Sequence, residues 1–207
     1  QLTIDNLKTK YLPNIENERK EKYLNNLKTI LKQIKQIENL VNEFSDFARM
    51  PKPLFKPNNL NLIIKENIGL VNKFDNTITI RLVNHLSKDA VLKFDNEQFN
   101  RLFFNLIKNS VESIQEKAEK DSKTNKNIDI ELRQRRDYIN INIIDTGIGF
   151  KNKKTKDIIK PYFTTKEKGT GLGLSIVDKI ISDHEGSIKF LNHKNGAKIQ
   201  IIIPYKK

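Results

Sequence analysis

Four short segments carry residue types whose spacing suits chemistry on a phosphorylated ligand. Asn105-Leu-Ile-Lys-Asn109 with Glu112 places its polar members in one narrow sector of a helix, while Phe103, Phe104, Ile107, Val111 and Ile114 take the opposite side. Asparagine is a poor helix-interior residue, because its amide competes for backbone hydrogen bonds. Two on one face suggest a ligand-facing row whose oxygens can bind Mg2+, directly or through water. An ordinary exposed polar face is the plainer alternative. Asp145-Thr146-Gly147-Ile148-Gly149 follows the apolar run Ile141 to Ile144. A buried carboxylate at a strand end can accept a hydrogen bond from an exocyclic amine, and the glycines let backbone approach a flat base. A simple strand-terminating turn would use the same residues.

Gly169-Thr170-Gly171-Leu172-Gly173-Leu174 opens a helix predicted from about Leu172. Glycine-rich backbone at a helix start offers free N–H groups and the positive end of the helix dipole to phosphate. The spacing is neither a Walker loop nor a dinucleotide fingerprint. Just before it, Pro161-Tyr162-Phe163-Thr164-Thr165-Lys166 combines aromatics that can anchor a segment with Lys166 and, two residues on, Lys168, point charges able to approach phosphates. A surface loop with a packed aromatic pair is the alternative.

The elements that must hold these segments are legible from periodicity. Leu2, Ile4, Leu7, Tyr11 and Leu12 have helical spacing up to Pro13 and Asn14. From Glu18 to Arg49 a helix without Gly or Pro carries Tyr23, Leu27, Ile30, Ile34, Ile37, Val41, Phe44 and Ala48, a heptad seam that Leu24, Leu31 and Leu40 widen toward a bundle. Pro51, Pro53 and Pro57 then predict an extended linker over 51–57, with a second domain from Asn58.

That domain reads as a helix over 61–74, strands at 77–83 and 90–94, and a helix from Asp95 to about Lys120. Asp95 is its N-cap, Gln98 the capping-box partner, and Phe94 and Phe99 the hydrophobic staple. Strands at 127–134 and 138–144 follow, then a helix to Asp183 with Gly186 as its C-cap glycine. A last hairpin pairs 187–191 with 198–203 across an Asn195-Gly196 turn.

Composition narrows the classes. The chain has 207 residues, no cysteine and a formal net charge of +13 from 38 Lys+Arg against 25 Asp+Glu. Disulfides and cysteine-ligated metals are excluded, and His85, His184 and His193 form no metal-ligand spacing. The positive charge is mostly lysine spread along the chain, without an arginine-rich stripe and interleaved aromatics, so a nucleic-acid partner is not expected. No stretch approaches the roughly 20 apolar residues of a membrane span.

In their order and spacing the four segments closely resemble the N, G1, F and G2 boxes of bacterial sensor histidine kinases, and Gly196-Ala197 resembles the last glycine box. Leu40-Val-Asn-Glu-Phe-Ser-Asp-Phe-Ala-Arg-Met-Pro-Lys-Pro53 and Phe163-Thr-Thr-Lys166 are similar to the nitrogen-regulation branch, NtrY more than NtrB. The resemblance implies an α+β protein. Residues 1–50 would be a two-helix hairpin, part of a dimeric four-helix bundle for dimerisation and phosphotransfer, with homodimer contacts through 1–49. Residues 58–207 would be a Bergerat-type sandwich, a mixed sheet packed on helices, that binds ATP.

It also implies roles. Asp145 would bind the adenine amine, and Gly147 and Gly149 would shape its pocket. Asn109 would hold Mg2+, with Asn105 beside it. Thr165, Lys168, Gly169, Thr170, Gly171, Leu172 and Gly173 would surround the phosphates, and Lys166 would sit in a lid over them. Glu112 stands where many kinases have Lys or His, and the nitrogen-regulation branch shares the Glu. The reaction implied is transfer of the γ-phosphoryl to a histidine, then to an aspartate of a response regulator, in a cytoplasmic module whose parent protein can be membrane-anchored. The chain opens inside a helix without Met, and no histidine lies in a His-Glu-x-x-Asn-Pro box. The phosphoacceptor is therefore expected about three helical turns before Gln1, and the segment is not expected to phosphorylate itself. A gyrase- or MutL-like ATPase, with a glutamate base at the place of Asn105, and a degenerate dimerisation scaffold are the rival readings.

Overall fold

A computed structural model describes residues 2–11, 17–87, 92–150, 155–164 and 169–205. The chain divides into two compact units, one holding the residues up to Met50 together with Gly169 and Thr170, the other Pro51–Thr164 and Gly171 onward. In the first unit, α1 (Leu2–Tyr11) precedes the 32-residue α2 (Asn17–Ala48). Leu27 is buried, whereas Ile30, Ile34, Ile37, Val41 and Phe44 stand exposed along the predicted seam. Pro13 and Asn14 lie outside the described residues.

The second unit begins earlier than proline content suggests. Residues expected to be linker are docked on the domain: β1 (Lys56–Asn58) pairs antiparallel with β3 (Leu92–Phe94). Pro57, which has no N–H, fits because the ladder has only two strands. Between them lie α3 (Leu60–Phe74), capped by Asn59, whose side chain accepts from the Leu62 N–H, and β2 (Thr79–His85). Then come α4 (Asn96–Lys120), β4 (Asn127–Gln134), β5 (Tyr138–Asp145), the short α5 (Thr155–Ile158), which periodicity did not suggest, α6 (Gly173–Asp183), β6 (Ser187–His193) and β7 (Gly196–Pro204).

The main sheet has the order β2-β4-β5-β7-β6, with β2 parallel to β4 and the other pairs antiparallel. Alternation places Ile128, Ile130 and Leu132 of β4, Ile139, Ile141 and Ile143 of β5, and Ile199, Ile201 and Ile203 of β7 in the core. Leu102, Phe103, Leu106, Ile107 and Ile114 of α4 are completely covered there, each contributing about 1.5–3 kcal/mol. Phe104, expected on the same stripe, is 37% exposed instead. Each helical residue turns about 100°, so Phe103 takes the centre of the buried face and its neighbour is carried off it.

The start of α4 shows how local rules and tertiary partners divide the work. Asp95 is the N-cap: its Oδ1 accepts from the Gln98 N–H at 3.0 Å. Phe94 and Phe99 stack at 4.3 Å as the staple. The reciprocal half of the capping box is absent. The Asp95 N–H donates to His184 Nε2 at 3.1 Å, and the Gln98 amide donates instead to the Pro51 carbonyl at 3.0 Å. Asp95 Oδ2 takes the Leu54 N–H at 2.8 Å, and the Phe55 ring meets His184 edge-on at 5.0 Å. A single helix start thus fastens residues 51–55 to the domain. Burial raises the Asp95 carboxyl, but the N–H groups of Gln98, Leu54 and Glu97 outweigh it and hold the group below its ordinary value.

The end of α6 corrects a second expectation. Glu185 takes the left-handed conformation at φ +57°, donates to the Ser182 carbonyl, and leaves the Gly186 N–H to reach Ile181, a Schellman ending. Gly186 is needed for space instead, because a Cβ there would stand 2.7 Å from the Ile202 carbonyl oxygen.

His184 is buried between Phe55 and Phe99, with Nδ1 2.7 Å from the Ile180 carbonyl and Nε2 accepting from Asp95. Nδ1 therefore carries the proton, and a second proton would displace the Asp95 N–H. Burial lowers the imidazole below its ordinary 6.5, although the Ile180 carbonyl and the Asp95 and Asp183 carboxylates oppose the shift. The folded state then binds fewer protons than the unfolded chain. The stabilisation from neutral His184 is complete above pH 6.5 and is lost as pH falls from there through the depressed folded value. In urea titrations, the stability lead of the native protein over His184→Gln should shrink between pH 7 and pH 5. A lead that stays constant over this range would contradict the assignment.

Candidate functional site

The site forms where β5 ends. Ile139, Ile141 and Ile143 alternate inward, and the next inward position is Asp145, only 3% exposed. Its Oδ1 accepts from the Gly147 N–H at 2.9 Å and from the Ala197 N–H at 3.2 Å, and Oδ2 accepts from the Ser110 hydroxyl at 3.1 Å. A carboxylate has about four acceptor positions, so Oδ2 retains capacity for one more donor. Burial pushes the carboxyl above its ordinary value, opposed by the N–H groups of Gly147 and Ala197, the Ser110 hydroxyl and the Lys117 ammonium. The arrangement suits an acceptor held for a ligand N–H.

The loop after Asp145 is fixed by residues that the motif does not contain. Ser113 Oγ accepts from the Ile148 N–H at 3.0 Å, and a Cβ on Gly147 would stand 2.2 Å from that oxygen. Gly149 has φ +70°, and Asn192 Oδ1 accepts from the Phe150 N–H at 2.8 Å. Lys117 Nζ donates to the Thr146 carbonyl at 3.0 Å and to the Asn195 carbonyl at 2.7 Å. Ser110 and Ser113 lie on the same helix as Asn105 and Asn109, and their spacing from that row was the available signal. Nothing in the sequence marks Lys117 or Asn192.

Gly196 shows why the last hairpin matters. The turn residues are Lys194 and Asn195, since His193 pairs with Gly196. The described residues with positive φ are Tyr162, Glu185, Gly149 and Gly171, so the expected Asn195-Gly196 turn of the I′ type does not form. Gly196 is there for close approach: a Cβ would lie 2.2 Å from the Asp145 carbonyl oxygen and 2.8 Å from the Gly147 nitrogen.

The asparagine row faces the glycine-rich helix start. Asn105 Nδ2 donates to the Arg101 carbonyl at 2.9 Å, and its Oδ1 would be 3.1 Å from a Cβ on Gly173, the first residue of α6. Asn109 and Glu112 follow on the same face, half-buried, with Lys108 3.9 Å from Glu112. Gly171, at φ +72°, lies against Tyr162 and Phe163, where a Cβ would meet the Tyr162 carbonyl carbon at 2.5 Å. Leu172 is fully buried, so only its backbone can serve a ligand. Thus Asp145, Gly147, Gly149, Asn105, Asn109, Gly171 and Gly173 belong to one unit. Gly169 and Thr170 belong to the other, where the Thr170 hydroxyl donates to Glu43. Thr165, Lys166 and Lys168 lie outside the described residues. An open groove at the opposite end of β5, lined by His85, Arg135, Arg136 and Tyr205, shares none of these groups.

Residues 94–207, more than half of the chain, match the family described as histidine kinase-, DNA gyrase B-, and HSP90-like ATPase. The chain belongs to this family. Within it, the nitrogen regulation protein NtrY of Azorhizobium caulinodans is 31% identical over 206 residues, covering all of this chain and 26% of that protein. The chain spans 26–33% of the length of the curated sensor-kinase relatives it matches first. The catalytic domain of the histidine kinase ThkA, in a nucleotide-free form, is 28% identical with a TM-score of 0.62, covering 73% of this chain and 96% of that one. ThkA in complex with the response regulator protein TrrA gives a TM-score of 0.69 at 23% identity, covering 99% of this chain and 57% of that one, a likeness of fold. The histidine-kinase-type ATPase domain accounts for the mixed sheet on α3, α4 and α6.

Proposed function

We propose that this chain is the nucleotide-binding kinase portion of a two-component sensor, delivering the γ-phosphoryl of ATP to a histidine and from there to an aspartate of a response regulator. The observation that carries the reading is Asp145. It is buried, held by three donors, and retains an acceptor position at the strand end where a base would sit. Adenine's exocyclic amine supplies the missing donor. Backbone at Gly171 and Gly173 opens α6 and would face the phosphates, since a helix N-terminus favours negative charge. Lys166 and Lys168 would approach the same phosphates, with Lys166 in a lid and Thr165, Gly169 and Thr170 beside it.

Among the described residues no three His, Cys, Asp or Glu side chains are grouped to hold a metal by themselves. The helix row contributes the amide oxygens of Asn109 and Asn105. That set fits Mg2+, which usually takes one or two protein oxygens and completes its shell with water and phosphate. Asn109 would hold it, and the ion would neutralise charge on the phosphates.

Transfer to a protein is favoured over hydrolysis by Asn105. It occupies the place of a glutamate base, and an amide, whose Nδ2 here donates to the Arg101 carbonyl, has no basic atom to take a proton from water. None of the three histidines suits the acceptor role: His184 is buried and bonded through both nitrogens, and His85 and His193 end strands. The acceptor would be carried on a bundle helix, and the exposed seam of α2 would join two copies as a homodimer. The setting would be cytoplasmic, with room for a membrane-anchored parent. Among the described residues no helix is long and apolar enough to cross a membrane.

The test is calorimetry with ADP and ATP, with and without Mg2+, followed by incubation with labelled ATP and a separately supplied histidine-bearing dimerisation domain. Micromolar-range binding strengthened by Mg2+, label on that histidine and negligible free phosphate are expected. Rapid phosphate release without labelled histidine would favour the ATPase reading, and absence of nucleotide binding would favour the scaffold.

A further inference from the structure

Lys117 lies on α4 three turns beyond Asn105 and outside every motif noted above. Its ammonium donates to two backbone carbonyls from different segments, Thr146 at 3.0 Å and Asn195 at 2.7 Å. Thr146 is the residue between Asp145 and Gly147, the acceptor and the donor of the carboxylate's own turn. Asn195 ends the β6–β7 turn, immediately before Gly196 and Ala197. Those two segments supply both N–H groups that hold Asp145 Oδ1.

Two carbonyl dipoles aimed at one point repel each other unless a cation lies between them. An ammonium has three donors and no acceptor, so it can satisfy both at once and still face solvent with the third. Ordering a lysine side chain costs most of its rotamer freedom, so a half-buried lysine with two short bonds is a position the fold has committed. Gly196 marks the same junction, since its backbone touches Asp145 and Gly147 too closely for any side chain.

We propose that Lys117 is a positioning residue for nucleobase recognition, clipping the Thr146 and Asn195 carbonyls together so that the Asp145 loop and the β6–β7 turn stay at the separation in which the carboxylate meets the exocyclic amine of adenine. The proposal rests on the reading of Asp145 as the adenine acceptor. Its signature is selective: loss of the clip weakens ligands that carry the amine and spares those that lack it.

Two ligands separate the possibilities, ADP and purine riboside 5′-diphosphate, which is ADP without the 6-amino group. Wild-type protein should prefer ADP. Lys117→Met should bind ADP about tenfold more weakly, the equivalent of one charge-assisted hydrogen bond, and bind the amine-free nucleotide within about twofold of wild type. Lys117→Arg, whose forked donors also reach two carbonyls, should recover most of the ADP affinity. Should Lys117→Met fail to melt cooperatively, Lys117→Gln, able to serve one carbonyl, takes its place in the comparison. Equal weakening of both ligands, unchanged affinity for both, or failure of Lys117→Arg to recover ADP binding would overturn the proposal. A wild-type protein that binds both ligands equally would remove the underlying adenine assignment, an outcome visible before any variant is made.

Discussion

Asp145→Asn should leave the domain folded and lower its affinity for ADP by about 10- to 150-fold, the span of a charge-assisted hydrogen bond of roughly 1.5–3 kcal/mol. Donors and acceptors decide the outcome. The amide oxygen of asparagine can take the place of Oδ1 and keep the Gly147 and Ala197 N–H groups satisfied. Its NH2 then falls where Oδ2 was. The Ser110 hydroxyl can turn to accept from it, so the interior stays bonded. A base amine at the same place meets a donor instead of an acceptor. A nucleotide with a carbonyl at that ring position meets a matching donor, so inosine diphosphate should lose less affinity than ADP or gain some. Calorimetry with the two nucleotides and a thermal melt of the variant check the three parts. Unchanged ADP affinity would remove Asp145 from the site. Asp145→Ala is a poorer probe, because it leaves the Gly147 and Ala197 N–H groups and the Ser110 hydroxyl without their acceptor, and such losses destabilise by about 1–3 kcal/mol each.

Gly196→Ala should damage both the fold and the site with a single methyl. Its Cβ would stand 2.2 Å from the Asp145 carbonyl oxygen and 2.8 Å from the Gly147 nitrogen, both backbone atoms that cannot rotate away. The hairpin must retreat, which draws the Ala197 N–H off the carboxylate and strains the two Lys117 bonds. Overpacking of this kind costs about 1–3 kcal/mol. At roughly 2–4 °C per kcal/mol for a domain of this size, the melting temperature should fall by about 2–12 °C, together with most of the ADP affinity. Gly186→Ala is the control: its Cβ would be 2.7 Å from the Ile202 carbonyl oxygen, a similar clash at the other end of β7. It should lower the melting temperature comparably while ADP affinity is retained. If Gly196→Ala bound ADP as wild type does, the close contact at Asp145 would have no part in the site.

What could be read along the chain was whatever depends on residues a few positions apart. The Phe94–Phe99 staple, the Asp95 cap and the alternation of β4, β5 and β7 are set within one helical turn or one pleat, so composition and spacing specify them. The order of Asp145, the asparagine row and the glycines was readable for the same reason: each is a short motif on one element. The choice among partners that local rules leave equivalent was not readable. The Asp95 N–H could have bonded Gln98 by the capping-box pattern, but the fold brings His184 to it and sends Gln98 to Pro51. Asn195-Gly196 has the composition of a tight turn, yet the register moves the turn back by one residue and uses Gly196 for contact with Asp145.

The family and the α+β class were therefore determined by the sequence alone, and the candidate site's acid, amides and glycines were legible in it as short motifs. The tertiary structure decided how the acid is held: Ser110 and Lys117 of α4 and Ala197 of β7 come from two elements far apart in sequence, and their convergence on Asp145 and its loop is set by how helix and strand pack. Hydrogen bonds between distant segments depend on where the packed core delivers each backbone group, and that delivery is a property of the whole sheet and its helices.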